Sequence, residues 1–496
     1  MFFLKARLLD IKTGAPYIGL ISNIDAKRLD IRAGDELFFY RGKTKFTIKV
    51  DITSTLVQPG ELGLFQDIIE DFKVKPGELL KLDLASHPQS LEAVREKLLG
   101  KKLSYKQIYA IVKDIVNGSL DDVETAFFIA SAFTPNNFSR EEVFYLSKAV
   151  AETGPTFKFK KKVADKHSTG GLPGNRVTPI IVAIIASYNI CIPKTSSRAV
   201  TSAAGTADTF EVLAPVEFSP EEIKKLIKKN NACLVWGGEK IAPADDKFIR
   251  IAQRLGIEPY SKMVVSIMAK KVAMGVKYLI LDIPVGKTAK ISNYQRAQKI
   301  ANLFKYLAKR FNIKIKIVIH KAKGPVGRGI GPALEARDVL RVLEQTENRP
   351  LDLEKKSVFL AGQLLELIGK AKRGQGEKMA LNALKSGKAL LKLKQIIKTQ
   401  GGDPNITSSK ITLGRYQWEM KSPKTGRVTA IHNKNLVEIC RILGAPFRKR
   451  AGVYLNKTIG EKVKKNETLA TLFTTNARYL DLAKQACKKI EIFKIK

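Results

Sequence analysis

Two loops rich in glycine and hydroxyl side chains enclose an apolar segment that runs from Pro179 to Ile192. The first loop begins at Asp165 as DKHSTGGLPGNRVT, and the second, PKTSSRAVTSAAGTADTFE, ends at Glu211. The enclosed run is long and apolar enough to predict a buried helix, which brings both loops to one end of it. Glycines let a backbone approach an oxyanion closely, Ser and Thr hydroxyls and N–H groups donate to it, and a lysine supplies charge. The stretch therefore predicts an anion site around which the chain is organised.

The rest of the pattern divides the 496 residues into four parts, as their number and 44% hydrophobic content allow. Residues 1–84 alternate apolar and polar side chains with many β-branched and aromatic ones, and LDIRAGDELFF from Leu29 resembles FKVKPGELLKL from Phe72, each turning at a glycine. This predicts a pseudo-repeated small β domain, read as an assembly or positioning module. Residues 85–152 predict a small helical domain, with Ser90 and Ser104 at N-cap positions and Gly100 and Gly118 as stops. In residues 153–410 helices alternate with short apolar strands, which predicts an α/β domain with a parallel or mixed sheet that binds the anion. Residues 411–496 return to strands and turns, giving a β-rich α+β domain of barrel-sandwich type. The overall fold class is thus α/β multidomain.

Several classes are set aside. No apolar run reaches about 18 residues, so no transmembrane span is expected. MFFLKARLLDIK carries charges within its apolar part and does not read as a signal peptide. Cys191, Cys233, Cys440 and Cys487 lie far apart without CxxC spacing, which fits a cytoplasmic address. The four histidines are too scattered for a metal site, and none is expected. GKT at Gly286 resembles a phosphate-binding P-loop, but Leu281 stands where that loop needs a glycine. SPKTGRVTAI and its sequel resemble a biotinyl or lipoyl hammerhead without the lysine hairpin that carries the prosthetic group, a structural use of that shape. The net charge of +40 admits a nucleic-acid partner, yet the lysines are spread along the chain and Trp236 and Trp418 do not alternate with basic clusters, so none is expected.

DKHSTGG together with SSRAVTSAAGTADTFE resembles the paired signature of the thymidine and pyrimidine-nucleoside phosphorylase family. VWGG at Val235, APADD at Ala242, SIMAKK at Ser266 and GPALEAR at Gly331 extend the likeness over most of residues 90–490. The N-terminal β domain and the wording of the second motif are closest to the type 2, AMP phosphorylase-like subgroup. The resemblance implies a helical domain that takes back a segment near 243–275, and a homo-oligomer that is at least a dimer. It also implies phosphorolysis, in which phosphate attacks C1′ of a pentose as the N-glycosidic bond breaks. No cofactor is needed, because inorganic phosphate is a co-substrate.

By the same resemblance Lys166, Ser168, Thr178, Ser196 and Thr206 hold phosphate, while His167 and Glu258 serve the departing base. The substrate contacts are Gly171, Ser197, Arg198, Ala199, Val200, Thr201, Ser202, Ser266, Lys270 and Lys290. Arg198 has a second reading, as an ion-pair partner of Asp208 or Glu211. Glu258 stands where the AMP phosphorylase-like subgroup has an aspartate. An arginine that grips the pyrimidine in the thymidine enzymes has no counterpart near Ile251, whose basic neighbours are Arg250 and Arg254, whereas Lys166 leans toward those enzymes. The expected substrate is a thymidine-like nucleoside. AMP or another nucleoside monophosphate is the alternative, and a basic nucleic-acid-binding protein on a degenerate scaffold is the alternative from another class.

Overall fold

A computed structural model describes all residues except 14–16, 42–43, 85–87, 134–137, 200–201, 255–259 and 287–288. It forms two compact units, Met1–Ala149 with Arg250–Ile257, and Val150–Ile249 with Glu258–Lys496. Among the described residues no helix is long and apolar enough to cross a membrane.

In the first unit, strands β1 (Phe2–Leu8), β2 (Ile18–Ser22), β3 (Glu36–Arg41), β4 (Thr44–Thr53), β5 (Glu61–Leu64) and β6 (Leu79–Leu84) close into a barrel in the order β1-β5-β2-β4-β3-β6. The pseudo-repeat is visible in it. Helices α1 (Asn23–Leu29) and α2 (Gln66–Phe72) each end on a left-handed residue, Asp30 or Lys73, and each is followed by a turn at a positive-φ glycine, Gly34 or Gly77. Alternate strand residues such as Leu37, Phe39, Ile48, Val50, Leu80 and Leu82 fill the interior, as a period of two requires. Helices α3 (Ser90–Leu98), α4 (Tyr105–Val116), α5 (Asp122–Ala130) and α6 (Arg140–Glu152) follow. Ser104 caps α4 in a reciprocal pair with Gln107, as its position predicts. Ser90 does not cap α3; it is already inside the helix, and its hydroxyl donates to Asp114 at 2.7 Å. The barrel is tied to these helices by Lys49–Asp121 at 2.8 Å and Thr47–Ser119 at 3.2 Å.

The second unit contains β7 (Ala164–Ser168), α7 (Val177–Ser187), β8 (Ile192–Ser196), α8 (Thr206–Phe210), α9 (Pro220–Asn230), β9 (Ala232–Trp236), α10 (Pro243–Arg254, which ends in the first unit), α11 (Tyr260–Ala273), β10 (Tyr278–Val285), α12 (Tyr294–Arg310) and β11 (Lys314–Lys321). Strands β11, β10 and β7 are parallel, β8 and β9 are parallel, and a Val163–Cys191 bridge joins the two groups into the order β11-β10-β7-β8-β9. The chain therefore reverses its direction of spread between β7 and β10. Ligands of open α/β sheets bind at that switch point, beyond the carboxyl ends of the strands. Residues 177–186 of α7 are all buried, because the helix is apolar on every side and lies within the main core.

Strand β12 (Gly329–Ile330) then leads into helices α13 (Pro332–Glu344), α14 (Leu351–Ile368), α15 (Gly376–Lys385) and α16 (Lys388–Thr399). The C-terminal part holds β13 (Tyr416–Lys421), β14 (Gly426–Ile431), α17 (Asn433–Ile442), β15 (Gly452–Leu455), β16 (Lys462–Val463), β17 (Thr468–Thr474), α18 (Ala477–Lys489) and β18 (Phe493–Ile495). Its larger sheet, β12-β15-β17-β13, takes its edge strand from the preceding part of the chain.

Candidate active site

Strand β7 sends Asp165 and His167 to one face and Lys166 and Ser168 to the other, by simple alternation. Its parallel register with β10 sets Ser168 opposite Asp282, and the Ser168 hydroxyl donates to that carboxylate at 3.0 Å. Asp282 also meets His320 Nε2 at 2.8 Å and Lys356 Nζ at 3.0 Å, so one buried carboxylate gathers residues from β7, β11 and α14. Burial pushes the Asp282 carboxyl up, but the His320 hydrogen bond and the charges of Lys356 and Lys166 outweigh it and hold the group below the usual carboxylate range.

Lys166 is almost wholly buried, with its Nζ 3.4 Å from Thr178 Oγ1 on the first turn of α7. Burial pushes its ammonium down to about 7, against the pull of Asp282, and Lys356 and Arg176 add like-charge repulsion. A dianion bound here would relieve that repulsion and hold the lysine charged. Sulfate does not titrate in this range, so its binding is expected to weaken about tenfold per pH unit above the Lys166 value, while the side chain loses its proton. Calorimetric titrations with sulfate between about pH 6 and 9 check this, and a flat profile would show that the anion does not meet Lys166.

On the opposite face of β7, Asp165 pairs with both Lys194, at 3.3 Å, and Lys271, at 2.5 Å, all three being buried. His167 shares this surrounding. Burial, followed by the charges of Lys271, Lys194, Lys166 and Lys270, holds its imidazole well below the ordinary value, so it is neutral at pH 7. Its Nδ1, Thr169 Oγ1, Thr195 Oγ1 and Ser196 Oγ are buried without a hydrogen-bond partner among the described residues. Buried polar atoms are rarely left so, and these four stand at or next to the carboxyl ends of β7 and β8, where a polar ligand would satisfy them.

The second loop is held by its own side chains. Asp208 accepts from the amides of Ala199, at 2.7 Å, and Gly205, at 2.8 Å. A Cβ on Gly205 would strike the Ser197 carbonyl and the Arg198–Ala199 peptide, so only glycine lets the loop fold back on itself. Arg198 is committed to Glu211, at 2.7 Å through both terminal nitrogens, and to Glu217 at 2.8 Å. Its hydrogen bonds hold the Glu211 carboxyl down to about 2. The ion-pair reading is therefore the one the geometry displays for Arg198, while on the same loop the Ser197 carbonyl accepts from the Ala207 amide at 3.4 Å and the Ser202 hydroxyl donates to the Ala204 carbonyl at 2.8 Å. Lys449, from the C-terminal part, closes on Asp208 at 3.3 Å and on Glu211 at 2.6 Å.

Ser266 and Lys270 are one turn apart on α11 and share Asp245, Ser266 at 3.0 Å and Lys270 as an ion pair. Gly171 has a φ of 88°, and a Cβ there would fall on the backbone nitrogen of Lys290, which places these two predicted residues against each other. Val200, Thr201 and Glu258 lie outside the described residues. Sequence reasoning missed Asp165, Arg176, Lys194, Lys271, Asp282, His320, Glu335 and Lys356. For Asp282 the available signal was a charged side chain inside an otherwise apolar strand, KYLILDIPVG.

Family models match along the chain: the glycosyl transferase family helical bundle domain over residues 91–154, the a/b domain of that family over 160–390, and the pyrimidine nucleoside phosphorylase C-terminal domain over 427–493. A protein of Thermococcus sibiricus named AMP phosphorylase is 41% identical over 493 residues, covering 99% of this chain and 97% of its own. One of the same name from Methanocella arvoryzae is 40% identical, over 97% of this chain and 95% of its own. Among solved structures, anthranilate phosphoribosyltransferase from Thermus thermophilus superposes with a TM-score of 0.51 at 18% identity, over 62% of this chain and 99% of that one, a likeness of fold alone.

Proposed function

We propose, because this chain belongs to the thymidine and pyrimidine-nucleoside phosphorylase family and to its AMP phosphorylase-like subgroup, that this pentosyltransferase splits AMP with inorganic phosphate into adenine and ribose 1,5-bisphosphate. The observation that carries the substrate is the near-full-length likeness to proteins named AMP phosphorylase, N-terminal barrel included. It ranks AMP above the thymidine-like nucleoside that Lys166 suggests.

In this reading phosphate lies among Lys166, Ser168, Thr178, Ser196 and Thr206 at the carboxyl ends of β7 and β8. A phosphate oxygen attacks C1′ while the C1′–N bond breaks, the sugar passes through an oxocarbenium-like state, and the proton needed by the departing base comes from Glu258. His167, neutral through its buried surroundings, has one donor and one acceptor nitrogen, which suits the adjacent acceptor and amino groups of an adenine edge. The 5′-phosphate would meet the loop around Ser197–Ser202 and Lys290, with Arg198 shaping that loop through its carboxylate partners. Gly171, Ser266 and Lys270 complete the substrate surroundings. No cofactor is required, since lysine and hydroxyl donors neutralise the co-substrate phosphate.

The test is release of free base from AMP, CMP, adenosine, uridine and thymidine, each with and without phosphate. Phosphate-dependent adenine release from AMP, and little from adenosine, is expected. Release from thymidine in place of AMP would return the first reading, and release from none of them would reopen the nucleic-acid reading suggested by the charge.

A further inference from the structure

Arg176, which none of the expected roles includes, is a buried side chain of the first anion loop with three partners. It sits at the start of α7 with only 10% of its side chain exposed. Its Nε meets Glu335 Oε2 at 2.5 Å, one terminal nitrogen donates to Thr206 Oγ1 at 2.8 Å, and the other donates to the Ala204 carbonyl at 3.0 Å. The guanidinium thus spans the first loop, the second loop and helix α13. Glu335 is itself buried and accepts from Thr209 Oγ1 at 3.2 Å and from the Gly331 amide at 3.3 Å, which fixes the fork from behind.

The bond to Thr206 has a direction with chemical content. A threonine hydroxyl has one hydrogen and two acceptor lone pairs, and an arginine can only donate. With Arg176 occupying a lone pair, the Thr206 hydrogen stays available to a second partner, and a cation on the oxygen makes that O–H a stronger donor. The second partner in the proposed function is the attacking phosphate.

We propose that Arg176 is a positioning residue for phosphate: it holds and polarises the Thr206 hydroxyl as a donor to the attacking anion. This rests on the phosphorylase reading of the site. Arg176 acts through Thr206, not by touching substrate. Lysine cannot replace it, because a single ammonium lacks the planar fork that reaches Glu335, Thr206 and Ala204 together.

The experiment is a double-mutant cycle of Arg176→Lys and Thr206→Val, reading the KM for phosphate, the KM for AMP and kcat. Each single variant is expected to raise the phosphate KM by about 10- to 100-fold, the range for losing a charge-assisted hydrogen bond. The AMP KM is expected to change less than about threefold, within the scatter of context effects on a remote contact. The double variant is expected to be no worse than Thr206→Val alone, since the two act on one hydroxyl. Additive losses, or equal losses in phosphate and AMP affinity, would overturn the proposal in favour of a purely structural arginine. Thermal melts report whether each variant folds. Should Arg176→Lys fail to fold, Arg176→Gln with Glu335→Gln, which keeps both side chains neutral and hydrogen-bonding, takes its place in the cycle with the same expected pattern. Calorimetric binding of inorganic phosphate to the resting enzyme repeats the cycle without turnover. If wild type releases no base from any nucleotide but phosphate binding still follows the cycle, the reaction reading fails and the Arg176 inference stands; if turnover is present and the cycle is additive, the reverse holds.

Discussion

Lys166→Met is expected to lower kcat/KM for phosphate by about a thousandfold, near the upper end of what removing one preorganised donor costs. Lys166 is a buried cation of the first loop, lying between Thr178 and the Asp282 cluster. Without it, the dianion loses its nearest buried positive charge, and unbalanced charge in a buried site is expensive. Methionine has a similar length and no charge to desolvate, and Asp282 keeps Lys356, His320 and Ser168. The melting temperature is therefore expected to stay level or rise, and the loss is one of function. Initial rates against phosphate concentration, with parallel melts, give the answer, and a loss below about tenfold would remove Lys166 from the phosphate site.

The second large effect is expected at Glu258. Glu258→Gln should slow phosphorolysis of AMP by about 10²- to 10⁴-fold, the range for a positioned general acid, because an amide can donate a hydrogen bond but cannot give up a proton to the leaving adenine. A nucleotide whose base departs without needing a proton separates this from a packing role. Nicotinamide mononucleotide is such a probe, since its pyridinium ring leaves as a neutral molecule. The variant's loss on that probe should stay within about tenfold, as the part of the effect that is hydrogen bonding alone. Equal losses on both nucleotides would assign Glu258 to structure or binding and leave the proton donor to be found elsewhere.

The parts of this molecule legible in the sequence are those built from neighbours along the chain. Glycine, hydroxyl and lysine density marks both anion loops, the apolar run between them predicts the buried α7, and the spacing of Arg198 from Asp208 and Glu211 already suggests an ion pair. Tandem glycine turns reveal the pseudo-repeat of the barrel, but not its closure, which depends on β1 pairing with β5 in parallel across most of the domain. The Asp282 cluster is hidden for the same reason. Ser168 and Asp282 are 114 positions apart and meet only through strand register. Ser90 shows a local reading that tertiary contact overrides, since Asp114 offers its hydroxyl a partner that no cap position requires.

Strand β12 lies between the α/β helices in sequence, yet it completes a sheet with β15, while Lys449 reaches back to Asp208 and Glu211. The C-terminal part is consequently not a detachable module. A gene fusion, truncation or recombination break placed near residue 411 would leave every motif residue in the transcript and still deliver a loop with one of its anchors missing. A chimera that exchanges the C-terminal part must therefore carry its matching β12 with it.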